Sequence, residues 1–177
     1  TAGSLDVSAH EFGHGVIGNS AGLEYRDESG ALNESFADIF GVLVDRDDWT
    51  VGEDIVRPSC FPNGFLRSMK EPEKGDQPSH YDDAIYLGTN IDNGGVHYNS
   101  GIGNKAFYLI ASDIGKEKAE QIYYRALTTY LTRSSGFIML RISIEQSTAD
   151  FHGESSSELA SVKQAFDAVG IVYREIL

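Results

Sequence analysis

The chain has 177 residues, of which 41% are apolar and 23% charged, a globular composition long enough for one domain with a sizeable core. Its 14 basic and 27 acidic residues give a net charge of -13, a surface that repels nucleic acid and anionic membranes and suits neither as a partner. The single cysteine, Cys60, excludes an internal disulfide and a cysteine-based zinc finger.

Thr1–Leu5 carry neither a basic nor an apolar leader region, so no signal peptide is read there. Leu5 to about Asn19 reads as a helix, ended by the approach to Ala21-Gly22-Leu23. Ser29-Gly30-Ala31-Leu32 leads into a second helix through about Asp45, with Leu32, Phe36, Ile39, Phe40, Leu43 and Val44 at helical spacing. Residues 46–97 hold all four prolines, at 58, 62, 72 and 78, and read as loops with short elements. So long an irregular segment in a compact domain is usually functional or held by an ion. Further helices are expected from near Ser100 to Asp113, from Lys116 to Leu131 and from Phe137 to about Asp150. A last one runs from Ser155–Ser157, with Glu158 placed for a capping box, to Val169-Gly170. No apolar run reaches the about 18–20 residues of a membrane span. The fold class is mainly α, a single domain over residues 1–177 with a long turn-rich segment between helices.

Residues 10–14 read His-Glu-Phe-Gly-His. Helical positions four apart lie nearly above one another, so both imidazoles can address one metal ion. Zinc suits neutral imidazole nitrogen. Glu11 projects about 100° around the helix from His10, where it reaches a metal-held water without being a ligand. The motif sits in an apolar-periodic stretch (Leu5, Val7, Phe12, Val16, Ile17). Two histidines on a solvated helix face are the other reading of so short a pattern. The metzincin extension fails, because Ile17 and Ser20 stand where it needs glycine and histidine. A third ligand must come from elsewhere, and a carboxylate on another helix is the natural candidate. In the second helix Glu34 and Asp38 are four apart and share a face, ordinarily the mark of a wet surface. Here Glu34 would complete a His/His/Glu set with the fourth position left for water, and Asp38 could accept the N–H of a ligating histidine.

With these motifs the chain resembles the C-terminal half of the thermolysin-like (M4) neutral metallopeptidases, from about Asp6 to Gly170. The blocks that carry the likeness are His10–His14, Ala21–Tyr25, Glu28–Glu34, Leu66–Met69, Asp92–His97 and Val162–Gly170. The resemblance implies zinc held by His10, His14 and Glu34, Glu11 as general base, and Asp38 paired with the first ligand histidine. It implies Tyr25 and His97, with Asp92 behind it, as stabilisers of the developing oxyanion, and Arg67 as a contact of a substrate carbonyl. Val7, Val51, Ile55 and Leu66 fall in an apolar pocket for the residue after the scissile bond, which implies cleavage of peptide or protein substrates before bulky hydrophobic residues. Secretion is implied as well. Asp6, Asp45, Asp48 and Glu53, with the Thr50 carbonyl, match a calcium site, although the loop between Asp45 and Asp48 is shorter than in thermolysin and Asp45 replaces a glutamate. One calcium ion is expected and two are not; five carboxylates among residues 45–54 suit a hard cation.

The family's catalytic unit also has an N-terminal, β-rich half that forms the other wall of the cleft, and this chain lacks it. Beside the endopeptidase reading stands a zinc-binding fragment or interaction module, inactive without that half. A zinc aminopeptidase with the same ligand types fits the spacing less well.

Overall fold

A computed structural model of the chain describes residues 3–85 and 88–173. Among these residues the helices are α1 (Leu5–Gly18), α2 (Asp27–Val44), α3 (Asp92–Ile114), α4 (Lys116–Arg125), α5 (Phe137–His152) and α6 (Ser157–Ala168). The strands β1 (Thr50–Val51) and β2 (Arg67–Ser68) pair antiparallel, with Thr50 opposite Ser68 and Val51 opposite Arg67. None of these helices is long and apolar enough to cross a membrane.

α2 is the axis of the structure. Asp27 and Glu28 place negative charge at the positive end of its dipole. From Ser29 to Ile39 it is buried on every side, packed between α1 and α3. Its apolar side chains join a core in which Phe36, Tyr123 and Phe107 meet ring to ring, with centroids 5.8 and 4.9 Å apart, within the range of favourable edge and tilted contacts. Ile102, Ile110, Ile122, Leu127 and Phe166 close the same core from α3, α4, the turn that follows α4, and α6. The polar residues Asn33, Glu34 and Asp38 share that buried helix, and groups so placed must find partners.

The helices are tied end to end by carboxylates. Glu28 accepts the Tyr81 hydroxyl at 2.7 Å and the Phe137 backbone amide at 3.0 Å, which caps α5 from a distant part of the chain. α6 is capped by Ser156, whose hydroxyl accepts the Leu159 amide at 3.2 Å. The expected capping box is not what forms: Glu158 accepts Lys118 Nζ at 2.6 Å and so pins α6 to α4. Lys116–Leu131 is also not one regular helix. Its last part, Ala126–Tyr130, widens into a π turn. There the Thr128 hydroxyl donates to the Tyr124 carbonyl at 2.8 Å and competes with the regular ladder.

The start of α3 differs most from expectation. It opens at Asp92 rather than near Ser100, through Asp92, Asn93, Gly94 and Gly95 at φ 48, 49, 94 and 92. Two glycines in sequence signal a turn, and a turn forms, but it is a left-handed one that launches a helix. At Gly94 a Cβ would stand 2.3 Å from Asp27 Oδ1, so both the conformation and the contact require glycine. His97 therefore lies in the first regular turn of a long helix. The irregular segment before it is held by side-chain amides. Asn99 bonds both the N–H and the carbonyl of Ile85 at 2.7 Å, and Gln77 donates to the His97 carbonyl at 2.6 Å.

Candidate metal centre

His10 and His14, one turn apart on α1, turn toward Glu34 on α2. His10 Nδ1 lies 2.8 Å from Asp38 Oδ1, and His14 Nδ1 lies 2.8 Å from Asn33 Oδ1. Both partners are acceptors, so both Nδ1 atoms carry a proton, and in the neutral imidazoles a metal would meet, both Nε2 atoms present lone pairs. Those Nε2 atoms are 3.1 Å apart, and Glu34 Oε2 and Oε1 stand 3.5 Å from His10 and His14 Nε2. Three lone-pair donors converging without a proton between them repel one another unless a cation sits among them. Ligands about 2.0–2.1 Å from a tetrahedral ion stand about 3.3–3.4 Å apart, which is the size of this triangle. Glu34 is 1% exposed, and its Oε2 has no hydrogen-bond partner, a costly state for a buried carboxylate oxygen. By distance, burial and donor chemistry the three residues fit one zinc ion.

Asp38 anchors the far side. It is fully buried and accepts from Arg67 Nη2 at 2.7 Å, from Arg67 Nε at 2.8 and 3.0 Å, and from Asn104 Nδ2 at 2.9 Å. Burial pushes its carboxyl up, but the Arg67 guanidinium and the His10 bond together outweigh that and hold it well below the usual carboxylate range. The reading of Arg67 as a substrate contact misses this pairing. Asn33 was missed altogether; its signal is a polar residue in a helix whose neighbours on all sides are core, and its Nδ2 also holds the Leu23 carbonyl at 3.0 Å.

Tyr25 and His97 flank the triangle from the other side. The Tyr25 hydroxyl donates to Glu34 Oε1 and lies 3.1 Å from His97 Nε2. Burial, then the bond to Glu34, push the Tyr25 phenol well above its ordinary value, which favours the hydroxyl form that donates. Asp92 orients His97 by accepting its Nδ1 at 2.5 Å and its backbone amide at 2.9 Å. Gly30 lets these groups approach: a Cβ there would lie 2.4 Å from Val96 and 3.0 Å from the Tyr25 backbone. Glu11 is exposed, next in chain to His10.

Of the expected apolar pocket, Val7 and Val51 are buried, Leu66 is partly buried and Ile55 is exposed; Val51 and Leu66 are joined by a backbone bond of 2.9 Å. The apolar stretch around the motif divides. Val7 and Ile17 enter the core, whereas Leu5, Phe12 and Val16 stay on the surface, Phe12 with 82% exposure. With Ala9, Phe40 and Val44 they line an open groove on the outer side of α1.

A second carboxylate cluster gathers Asp6, Asp45 and Glu53, with one oxygen of each within 4.8 Å of the others. Burial first, and the charge of Asp6 besides, raise the carboxyls of both Asp45 and Glu53, the mark of crowded negative charge. Oxygen donors of this kind fit a hard cation such as calcium. Asp48, expected as a fourth member, lies outside that group. It accepts the Thr50 amide at 2.7 Å and the Thr50 hydroxyl at 2.8 Å, and that hydroxyl also lies 2.9 Å from Glu53 Oε2, which keeps Asp48 beside the cluster. The Lys116 ammonium, over the Trp49 ring at 4.1 Å, donates to the carbonyls of Val42, Arg46 and Asp48 at 3.4, 3.0 and 3.0 Å.

Comparison with known proteins gives the family. Residues 21–171 match the family described as thermolysin metallopeptidase, alpha-helical domain. Extracellular elastase of Staphylococcus epidermidis is 51% identical over 170 residues, which are 96% of this chain and 32% of that protein. Neutral protease B of Bacillus subtilis is 48% identical over 181 residues, 97% of this chain and 33% of that one. The structure of the precursor of protealysin, a metalloproteinase from Serratia proteamaculans, superposes with a TM-score of 0.81 at 34% identity, covering 94% of this chain and 57% of that chain. The chain thus spans about a third of the length of the curated relatives it matches. It belongs to the thermolysin metallopeptidase family, as that family's alpha-helical domain.

Proposed function

We propose that this chain is the metal-bearing part of a zinc metalloendopeptidase that cleaves peptide bonds on the amino side of bulky hydrophobic residues. The observation that carries the reading is the triangle of His10 Nε2, His14 Nε2 and Glu34, whose edges of 3.1 to 3.5 Å enclose bare lone pairs. A zinc ion held there supplies Lewis acidity, which acidifies water toward neutral pH and polarises a carbonyl. Glu11 takes the proton of the attacking water and delivers it to the leaving amine. Tyr25, kept as a donor, and His97, oriented by Asp92, stabilise the tetrahedral oxyanion; one such donor is typically worth about 2.7–4 kcal/mol of barrier. Arg67 holds Asp38 and so the ring of His10, and its guanidinium edge is the group that meets a substrate carbonyl. Val7, Val51, Ile55 and Leu66 receive the side chain after the scissile bond. The cluster at Asp6, Asp45 and Glu53 takes one calcium ion.

The partner is the rest of the catalytic unit, the N-terminal half that supplies the opposite wall of the cleft. The exposed stripe of Leu5, Phe12, Val16 and Val44 supports this, since so apolar a surface on a chain of charge -13 marks a protein contact. Secretion is in keeping with a relative named extracellular elastase.

The test separates metal from chemistry. The chain should hold about one zinc, keep it in Glu11→Gln and lose it in His14→Ala; metal analysis showing none, or no loss in His14→Ala, ends the proposal. The full-length protein should cleave a blocked peptide before Leu or Phe and stop when a chelator is added. Cleavage that demands a free amino terminus would point to an aminopeptidase instead.

A further inference from the structure

The environment of Asp38 holds one residue that neither the motif nor its spacing singles out. Asn104, on α3 two turns beyond His97, is fully buried and donates from Nδ2 to Asp38 Oδ2 at 2.9 Å. Its Oδ1 is buried with no hydrogen-bond partner. Turning the amide over would set two acceptors face to face and leave the NH2 group in place of the carbonyl, so the carboxylate fixes which way the amide points. A half-satisfied amide in the core is a local fault, and a leucine of similar size would fill the space without it.

The geometry of the carboxylate accounts for its presence. Oδ1 serves His10 Nδ1 at 2.8 Å and Arg67 Nη2 at 2.7 Å, while Oδ2 receives Arg67 Nε at 2.8 Å and Asn104. Arg67 reaches Asp38 from β2 and the metal-side ring comes from α1, leaving Asn104 as the anchor supplied by α3. Without it the carboxylate can swing about the Arg67 fork, and Oδ1 is no longer held on the His10 ring. We propose that Asn104 is a positioning residue for the metal centre: it fixes the plane of Asp38 and, through it, the tautomer and direction of His10. A group at this remove sets metal affinity by orienting the ligand, as carboxylate partners of metal-bound histidines do.

The inference rests on the zinc reading above, and one experiment separates the two. Zinc affinity of the full chain is measured by competition with a chromophoric chelator, and the cobalt-substituted protein is examined for its d–d absorption. Asn104→Leu and Asn104→Ala should raise the zinc Kd about tenfold, the lower end of what partners of ligand histidines contribute, and should shift the cobalt bands. A residue that merely packs would lower the Tm and leave both readouts of the folded protein where they were; that result overturns the proposal. Should neither variant fold, the side-chain amide protons of Asn104 in the labelled parent should exchange slowly and shift on adding zinc, and their standing still would overturn it equally. A parent that binds no zinc removes the metal reading and this one together, whereas a parent that binds zinc as tightly as folded variants removes this one alone.

Discussion

Asp38 is where fold stability and the proposed metal binding meet, and Asp38→Leu tests how they are divided. The substitution removes the acceptor for His10 Nδ1, Arg67 and Asn104 at once. Removing one partner of a buried ion pair costs about 3–5 kcal/mol, because the other charge is left without a counter-ion. The Arg67 side chain keeps 18% exposure and can turn partly to water, which puts the expected loss at the lower end, about 3 kcal/mol. Losing the partner of a ligand histidine weakens metal binding by about 10–100-fold, or about 1.4–2.7 kcal/mol. These two terms separate in urea unfolding at pH 7, run once with chelator and once with excess zinc. With chelator the variant should be about 3 kcal/mol less stable than the parent, and the stabilisation gained from zinc should shrink by a further 1.4–2.7 kcal/mol or so. A loss below about 1 kcal/mol in chelator would refute the view of Asp38 as the buried counter-ion of Arg67. An unchanged zinc increment would refute its role toward His10.

Lys116→Met should cost about 1–2 kcal/mol by leaving the Val42, Arg46 and Asp48 carbonyls without their ammonium donor. That corresponds to a Tm lower by roughly 3–6 °C in calorimetry, and an unchanged Tm would show that the clamp contributes nothing. At the far end of α4 the Tyr130 hydroxyl, then Gln146 and Arg125, hold the Asp150 carboxyl down to about 2. A depressed folded value stabilises the fold above the unfolded value of about 3.9, and this is lost as the pH falls from there through about 2. An NMR titration should therefore place Asp150 near 2 in the parent and higher in Tyr130→Phe; an ordinary midpoint in the parent would count against the bond.

Much of this was legible in the sequence because it is periodic. The spacing of His10 and His14, and of Glu34 and Asp38, follows from one turn of helix, and the structure indeed brings the first three within one triangle. The elements went astray where side chains rather than periodicity decide. The left-handed run Asp92–Gly95 looks like a loop in sequence, yet it lies close against Asp27, more than sixty residues upstream, and leads into a helix. Glu158 sat where a capping box could form, and a lysine on α4 took it instead. Asn33 and Asn104 carry no motif; each is an ordinary asparagine until the fold encloses it beside a ligand or its anchor. Asp48 is joined to the carboxylate cluster through the Thr50 hydroxyl, which lies 2.8 Å from Asp48 Oδ1 and 2.9 Å from Glu53 Oε2.

The two faces of α1 explain how a metal site and its use can be separable. At about 100° per residue, Glu11 lies a third of a turn from His10 on one side and a third of a turn from Phe12 on the other. His10 faces inward, 6% exposed, and its surroundings come from α2, α3 and β2, all within this chain. Phe12 faces outward with Leu5 and Val16 at helical spacing, and is 82% exposed among the described residues. Glu11, the proposed base, thus stands on the border between a face this chain completes and a face it leaves open. A partner seated on the apolar stripe would wall in Glu11 from that side and withdraw it from bulk water, where a proton acceptor is least effective. Metal affinity would change less, because His10, Glu34 and Asp38 are buried and the His14 side chain keeps only 28% exposure. If the proposed function holds, separation from the partner should cost catalysis at Glu11 before it costs zinc at His10.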